Sequence, residues 1–277
     1  MTPTERSAEL RAVAQAIADA LPSSAVEVVL TGSVSRGVAD EVSDIEMLVV
    51  TVAEPRLEEC FEIAAACGLN GLGTWGTQGV ATKRVSGELE GVPIELIWWS
   101  RGRAEEAVDA IFAGDPSATA DALAHGVALR TVGLLAQWQE RLREYPDELA
   151  AERIEEAALT WGGFAAAGLL TLIRPGERLA LVERMVDDAA RVVRIVFALN
   201  RAWQPTSKRL AARVADLPVK PERLAERIEQ ALTEPDPRRA LLTMNELQLD
   251  TVVLAPDGPN IERARRWLAE GRALLGR

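Results

Sequence analysis

At 277 residues, 48% of them apolar and 26% charged, the chain has enough material for two domains, and neither disorder nor a collagen-like repeat fits that composition. The formal charge of −11 is concentrated in front: the first 114 residues hold 8 basic and 18 acidic side chains, a net of −10. Phosphate backbones are gripped mainly by Lys and Arg, so an acidic front half disfavours a broad nucleic-acid interface and suits divalent cations and cationic small molecules.

No segment reads as a membrane span. Residues 63–82 are interrupted by Gly68, Gly71, Gly73, Gly76 and Gly79, and Ala157–Ile173 falls short of the roughly 20 apolar residues that cross a bilayer, so it reads as a buried helix. Met1–Arg11 carries Glu5 and Glu9 and no apolar stretch behind a basic flank, which points to a cytoplasmic protein. Cys60 and Cys67 share a helical face and read as core residues rather than a disulfide. With His125 as the single histidine and no CxxC, a zinc site has almost no ligands, and any metal chemistry falls to carboxylates.

In chain order, Leu10, Val13, Ala14, Ile17 and Leu21 recur at helical spacing and predict an opening helix over Thr4–Leu21. Val26–Leu30 and Ile45–Val52 predict strands, separated by Thr31-Gly32-Ser33 and a polar turn. Leu57–Cys67 predicts a helix closed by Gly68, followed by a glycine-rich loop from Gly68 to Gly79. Val80–Leu89 and Val92–Trp99, flanking Glu90-Gly91, predict a hairpin. Ala104–Phe112 returns to helical spacing, and Gly114-Asp115-Pro116 is the expected domain boundary. Beyond it, Pro and Gly punctuation divides helices near Ala118–Arg143, Glu148–Ile173, Glu177–Trp203, Glu222–Leu232, Arg238–Leu254 and Ile261–Leu275. The pattern predicts an α/β (α+β) domain with a mixed sheet over 1–114 and an all-helical domain over 115–277.

Two apparent motifs carry little. Gly71-Leu72-Gly73-Thr74-Trp75-Gly76 matches GxGxxG but follows a helix and leads into a strand, the reverse of the dinucleotide context. His125 is open between a general base and a structural or solvated residue. Trp98, Trp99, Trp161 and Trp203 are open between acceptor platforms and core. The small residues of Ala157–Ile173 suit either a homodimer contact or packing within the chain.

The informative stretch is Val28–Val50. Asp44 and Glu46 stand two apart at a strand, so both carboxylates emerge on one face while Ile45 and Met47 face a core. Glu95, set among Ile94, Leu96, Ile97 and Trp98, adds a third strand acid that would be costly to bury alone. Three converging carboxylates repel one another unless cations intervene, and two Mg²⁺ ions about 4 Å apart are the usual remedy. Gly32-Ser33 would offer backbone N–H groups to phosphates, and Arg36 adds positive charge nearby. The residues thus point to metal-assisted nucleotidyl or phosphoryl transfer.

Gly32-Ser33, ten residues, Asp44-Ile45-Glu46 and the later Glu95 also resemble the DNA polymerase β-type nucleotidyltransferase superfamily. With a helical C-terminal domain behind it, the arrangement is similar to the aminoglycoside and lincosamide nucleotidyltransferases. The resemblance implies that Asp44 and Glu46 hold both metals, that Gly32 and Ser33 grip the triphosphate of ATP or another NTP, and that Glu95 binds the catalytic metal or takes the acceptor proton. Many relatives have Asp where Glu95 stands. Arg36 would contact phosphate, and Lys208 would clamp the phosphates from the helical domain. The implied acceptor is a small hydroxylated, cationic molecule such as an antibiotic. A protein or tRNA acceptor, as in toxin–antitoxin enzymes, and a catalytically silent binding module are the alternatives.

Overall fold

The computed structural model describes residues 2–75, 82–115 and 118–277, and the chain divides into two compact units, 1–144 and 145–277. Gly76, Gly79, Val80 and Pro116, which belong to the expected loop, hairpin and boundary, lie outside the described residues.

In the first unit, α1 (Glu5–Ala20) starts at Thr4, whose side chain accepts from Ser7 N, and buries Leu10, Ala14 and Ile17. Strand β1 (Ala25–Thr31) leads into a single helical turn, α2 (Gly32–Ser35), and then to β2 (Ile45–Thr51), α3 (Leu57–Ala66) and β3 (Asn70–Gly73). β4 (Arg84–Leu89) and β5 (Val92–Ser100) form the hairpin around Glu90-Gly91. α4 (Arg101–Phe112), α5 (Thr119–Ala124), β6 (Val127–Arg130) and α6 (Leu134–Leu142) complete the unit.

The six strands form one mixed sheet in the order β3-β4-β5-β2-β1-β6, antiparallel except between β2 and β5. That parallel pair is central, so its residues line up one for one from Ile45 against Ile94 to Thr51 against Ser100. On one face Val28, Leu30, Ile45, Met47, Val49, Ile94, Leu96 and Trp98 join α1 and α3 in a continuous core. Cys60 is fully buried in it and Cys67 half-buried; both thiols are free, and burial pushes Cys60 up to about 12. α4, α5 and α6 pack against β5, β2 and β1.

In the first unit three expectations need correction. The glycine-rich loop contains a strand, β3, paired with β4 at the sheet edge. The helix expected over Ala118–Arg143 is α5, β6 and α6, because Gly126 and Gly133 break it. A Cβ on Gly126 would come within 2.7 Å of Val29 Cγ1, and Gly133 has φ +95°. β6 then pairs with β1, and Arg130 ties it down by donating to the carbonyls of Ala18, Leu21, Pro22 and Ala25, which run from the last turn of α1 to the start of β1. The compact unit therefore ends at Glu144 rather than near Gly114, since the sheet is incomplete without its last strand.

The second unit is helical: α7 (Asp147–Ala158), a 3₁₀ segment (Ala166–Ile173), α8 (Arg178–Leu199), α9 (Leu210–Ala215), α10 (Leu224–Thr233), α11 (Pro237–Leu254) and α12 (Pro259–Leu275). The buried helix expected over Ala157–Ile173 is broken. Gly162 takes φ +104° where a Cβ would meet Arg263, and the chain re-forms as the 3₁₀ segment. Ala157, Ala158, Trp161, Ala166 and Leu169 are buried within this unit's own core. None of the described helices is long and apolar enough to cross a membrane.

Inside this core Asp188 is 3% exposed, accepting from Trp161 Nε1 and from Arg184 Nε, each at 2.8 Å. Burial pushes its carboxyl above the usual range, against the opposing pull of Arg184. The native state therefore keeps this proton to a higher pH than the unfolded chain does. Its contribution is fully present below the ordinary carboxylate range and is lost as pH rises through the folded value. Urea unfolding of the second unit across acid pH is expected to lose stability over that window, and Asp188→Asn to flatten that part of the profile; an unchanged profile would contradict the assignment.

Candidate functional site

The acids gather at one end of the central strands. Glu46 and Glu95 occupy matched positions on the parallel pair β2 and β5, both half-buried and both flanked by buried apolar neighbours. Adjacent strands lie about 4.8 Å apart, so matched residues are side-by-side neighbours on one face. Thr31 pairs with Glu46 on the other side, and its hydroxyl donates to Glu46 O at 3.2 Å. Gly32 follows directly with φ +72°, and a methyl group built there would collide with Glu46 Oε2. Only glycine lets the carboxylate lie against this backbone.

Asp44 is half-buried immediately before β2. Its approach is shaped by a turn in which Ser43 Oγ donates to Asp40 Oδ1 and accepts from Asp40 N, at 2.8 and 2.9 Å. The preceding loop is fastened to the start of α1 through Thr4 Oγ1 to Ala39 O and Ala39 N to Ser7 Oγ.

Arg36 and Glu95 each meet a side chain that the sequence reading did not single out. Arg36 Nη1 donates to Gly32 O at 3.0 Å, while its Nη2 bonds Asp121 through the backbone oxygen at 3.3 Å and the carboxylate Oδ2. Asp121, 4% exposed, also meets His125, whose Nδ1 lies 2.9 Å from Asp121 O and 3.3 Å from Oδ1. A carbonyl only accepts, so Nδ1 carries a proton. Arg36 therefore braces the Gly32 turn from α5, and His125, half-exposed, joins that brace. The Asp–His spacing of four residues was the available signal for this pairing.

Arg84 is the other unanticipated residue. Ser86 is the cross-strand partner of Glu95, so Arg84, two residues along β4, shares its face, and Arg84 Nε lies 3.0 Å from Glu95 Oε1. Among the described residues no three or more His, Cys, Asp or Glu side chains form a group that could hold a metal ion. Arg84 thus meets with its own positive charge one of the three carboxylates that a two-ion centre would draw on. Asp44 and Glu46 are left as a pair with the chemistry for one hard divalent cation. Ser33 is half-buried in α2, and Lys208 is exposed in the second unit ahead of α9. Trp98, Trp161 and Trp203 are buried, the last stacked on Tyr145 with ring centroids 4.4 Å apart.

What the fold defines is a mixed α/β sheet domain followed by a helical region, with a carboxylate pair beside a glycine turn. A family described as a domain of unknown function (DUF4037) matches residues 119–210, from α5 to the start of α9. Among solved structures, the chain is similar to a nucleotidyltransferase-like protein from Exiguobacterium sibiricum 255-15. Identity is 12% and the TM-score 0.43, with 90% of this chain and 81% of that one covered. Comparison with curated proteins finds no match.

Proposed function

We propose that the chain is a nucleotidyltransferase that moves a nucleoside monophosphate, with AMP from ATP the first case to test, onto a hydroxyl of a small molecule and releases pyrophosphate. The observation that supports this reading best is the packing of Glu46 against Gly32 with Glu95 in register beside it and Asp44 two residues before. In the reaction the acceptor oxygen bonds to the α-phosphorus and the α–β bridging P–O bond breaks. Pyrophosphate leaves with the electron pair, and the hydroxyl proton passes to Glu95. Gly32 and Ser33 hold the phosphates, with Arg36 keeping their turn in place. Asp44 and Glu46 would hold one Mg²⁺, which supplies charge neutralisation on the phosphates when bound.

The acidic sheet domain favours a cationic hydroxylated acceptor, an antibiotic among them, over tRNA. A protein acceptor would reveal itself as a labelled partner. The Arg84–Glu95 pair is the observation that favours a catalytically silent binding module instead. Incubating the full chain with Mg²⁺, each α-labelled NTP and a panel of hydroxylated compounds decides between them. Label on one acceptor with equimolar pyrophosphate is expected. Nucleotide binding without transfer to any acceptor or protein would favour the silent module, and absence of nucleotide binding would overturn both.

A further inference from the structure

We propose that Arg84 is a built-in counter-ion for Glu95, standing where a second metal ion would otherwise compensate that carboxylate, so that the site takes one divalent cation, at Asp44 and Glu46, rather than two. This rests on the nucleotidyltransferase reading for the role of the acids but not for the charge arrangement itself.

Glu46 and Glu95 are forced side by side by the register of β2 and β5, and two neighbouring carboxylates raise each other's electrostatic cost unless positive charge lies among them. The antiparallel register of β4 on β5 delivers that charge from within the chain, through Arg84 on the same face, diagonal to Glu95. The side chains are 34% and 17% exposed, so the attraction is only partly screened by water. A guanidinium is always charged, whereas a metal ion must be captured from solution. The Nε–Oε1 contact of 3.0 Å lacks the alignment of a hydrogen bond, so charge rather than bonding geometry is what Arg84 contributes there.

The test is a Mn²⁺ titration of the full chain, followed by the electron paramagnetic resonance signal of free Mn²⁺, with and without a non-hydrolysable ATP analogue. Wild type is expected to bind one Mn²⁺ per chain with the analogue present. Without nucleotide, Arg84→Gln should bind Mn²⁺ at least tenfold more tightly than wild type and take a second ion. Adding Glu95→Gln to that variant should abolish the gain, and Arg84→Lys, which keeps the charge, should behave as wild type. Two Mn²⁺ ions on wild type with the second lost in Glu95→Gln, or unchanged Mn²⁺ affinity in Arg84→Gln, would overturn the proposal. Should Arg84→Gln fail to fold, the wild-type stoichiometry and its response to Glu95→Gln decide alone. If the analogue does not bind wild type, the nucleotidyltransferase reading fails, while the nucleotide-free comparison of Arg84→Gln with wild type still judges the counter-ion.

Discussion

Asp44→Asn and Glu46→Gln are each expected to lower nucleotidyl transfer about 10³-fold, close to 4 kcal/mol of transition-state stabilisation, with the thermal midpoint little changed. Both acids are half-buried at the sheet end rather than in the core, so removing one charge leaves the packing of Ile45 and Met47 intact. The loss should fall on kcat more than on KM, because the charge of the transferring phosphoryl group changes most in the transition state. If the two carboxylates act together on one cation, the double variant will be hardly worse than either single one. Glu95→Gln should bind nucleotide as wild type does and fail in the chemical step. Steady-state kinetics with the acceptor found in the labelling experiment, and calorimetry of nucleotide binding, read these outcomes. Turnover by Asp44→Asn within threefold of wild type would remove the mechanism.

The largest effect on stability is expected at Glu27, fully buried on β1. Its Oε1 accepts from Thr131 Oγ1 at 2.8 Å and Leu135 N at 3.1 Å, and its Oε2 from Val132 N at 2.8 Å and Leu134 N at 3.3 Å. Leu134 and Leu135 open α6, and the residue before them, Gly133, has no side chain to cap the helix. Glu27 therefore serves as a remote cap, placing negative charge at the helix N-terminus and satisfying donors that would otherwise be buried without partners. Glu27→Ala leaves these groups unanswered, at about 1–3 kcal/mol for each one that water cannot reach. A total loss on the order of 4 kcal/mol is a large fraction of the roughly 5–15 kcal/mol that holds a domain folded. Glu27→Gln keeps one acceptor oxygen but turns an amide N–H₂ toward donors, so an intermediate loss is expected. Urea unfolding gives the order wild type, Gln, Ala, and hydrogen exchange at the Leu134 and Leu135 amides localises the damage. Stability of Glu27→Ala within about 1 kcal/mol of wild type would contradict this account, since such a change is typical of a surface site.

Much of the site was legible because it is written in short-range pattern. The alternations Ile45-Glu46-Met47 and Ile94-Glu95-Leu96 put acids on one face of their strands and apolar partners on the other, and period two is a local property. Gly32 was legible as a special backbone position, though not that Glu46 is what leaves no room for a side chain. The helical region was recognised from its periodicity, while its interruptions at Gly126, Gly133 and Gly162 were not, because a glycine breaks a helix only where the surroundings favour the alternative.

By itself, then, the sequence determined strands β1, β2, β4 and β5, the faces of Glu46 and Glu95, and the core role of Cys60. Only the tertiary structure decided that β2 and β5 lie parallel and in register, that Arg84 faces Glu95, that Arg36 reaches Asp121 across 85 positions, and that Glu27 sits beneath α6. The physical reason is that backbone periodicity governs which way a side chain points. Which charge it meets depends on strand order and register, set by the burial of the whole sheet.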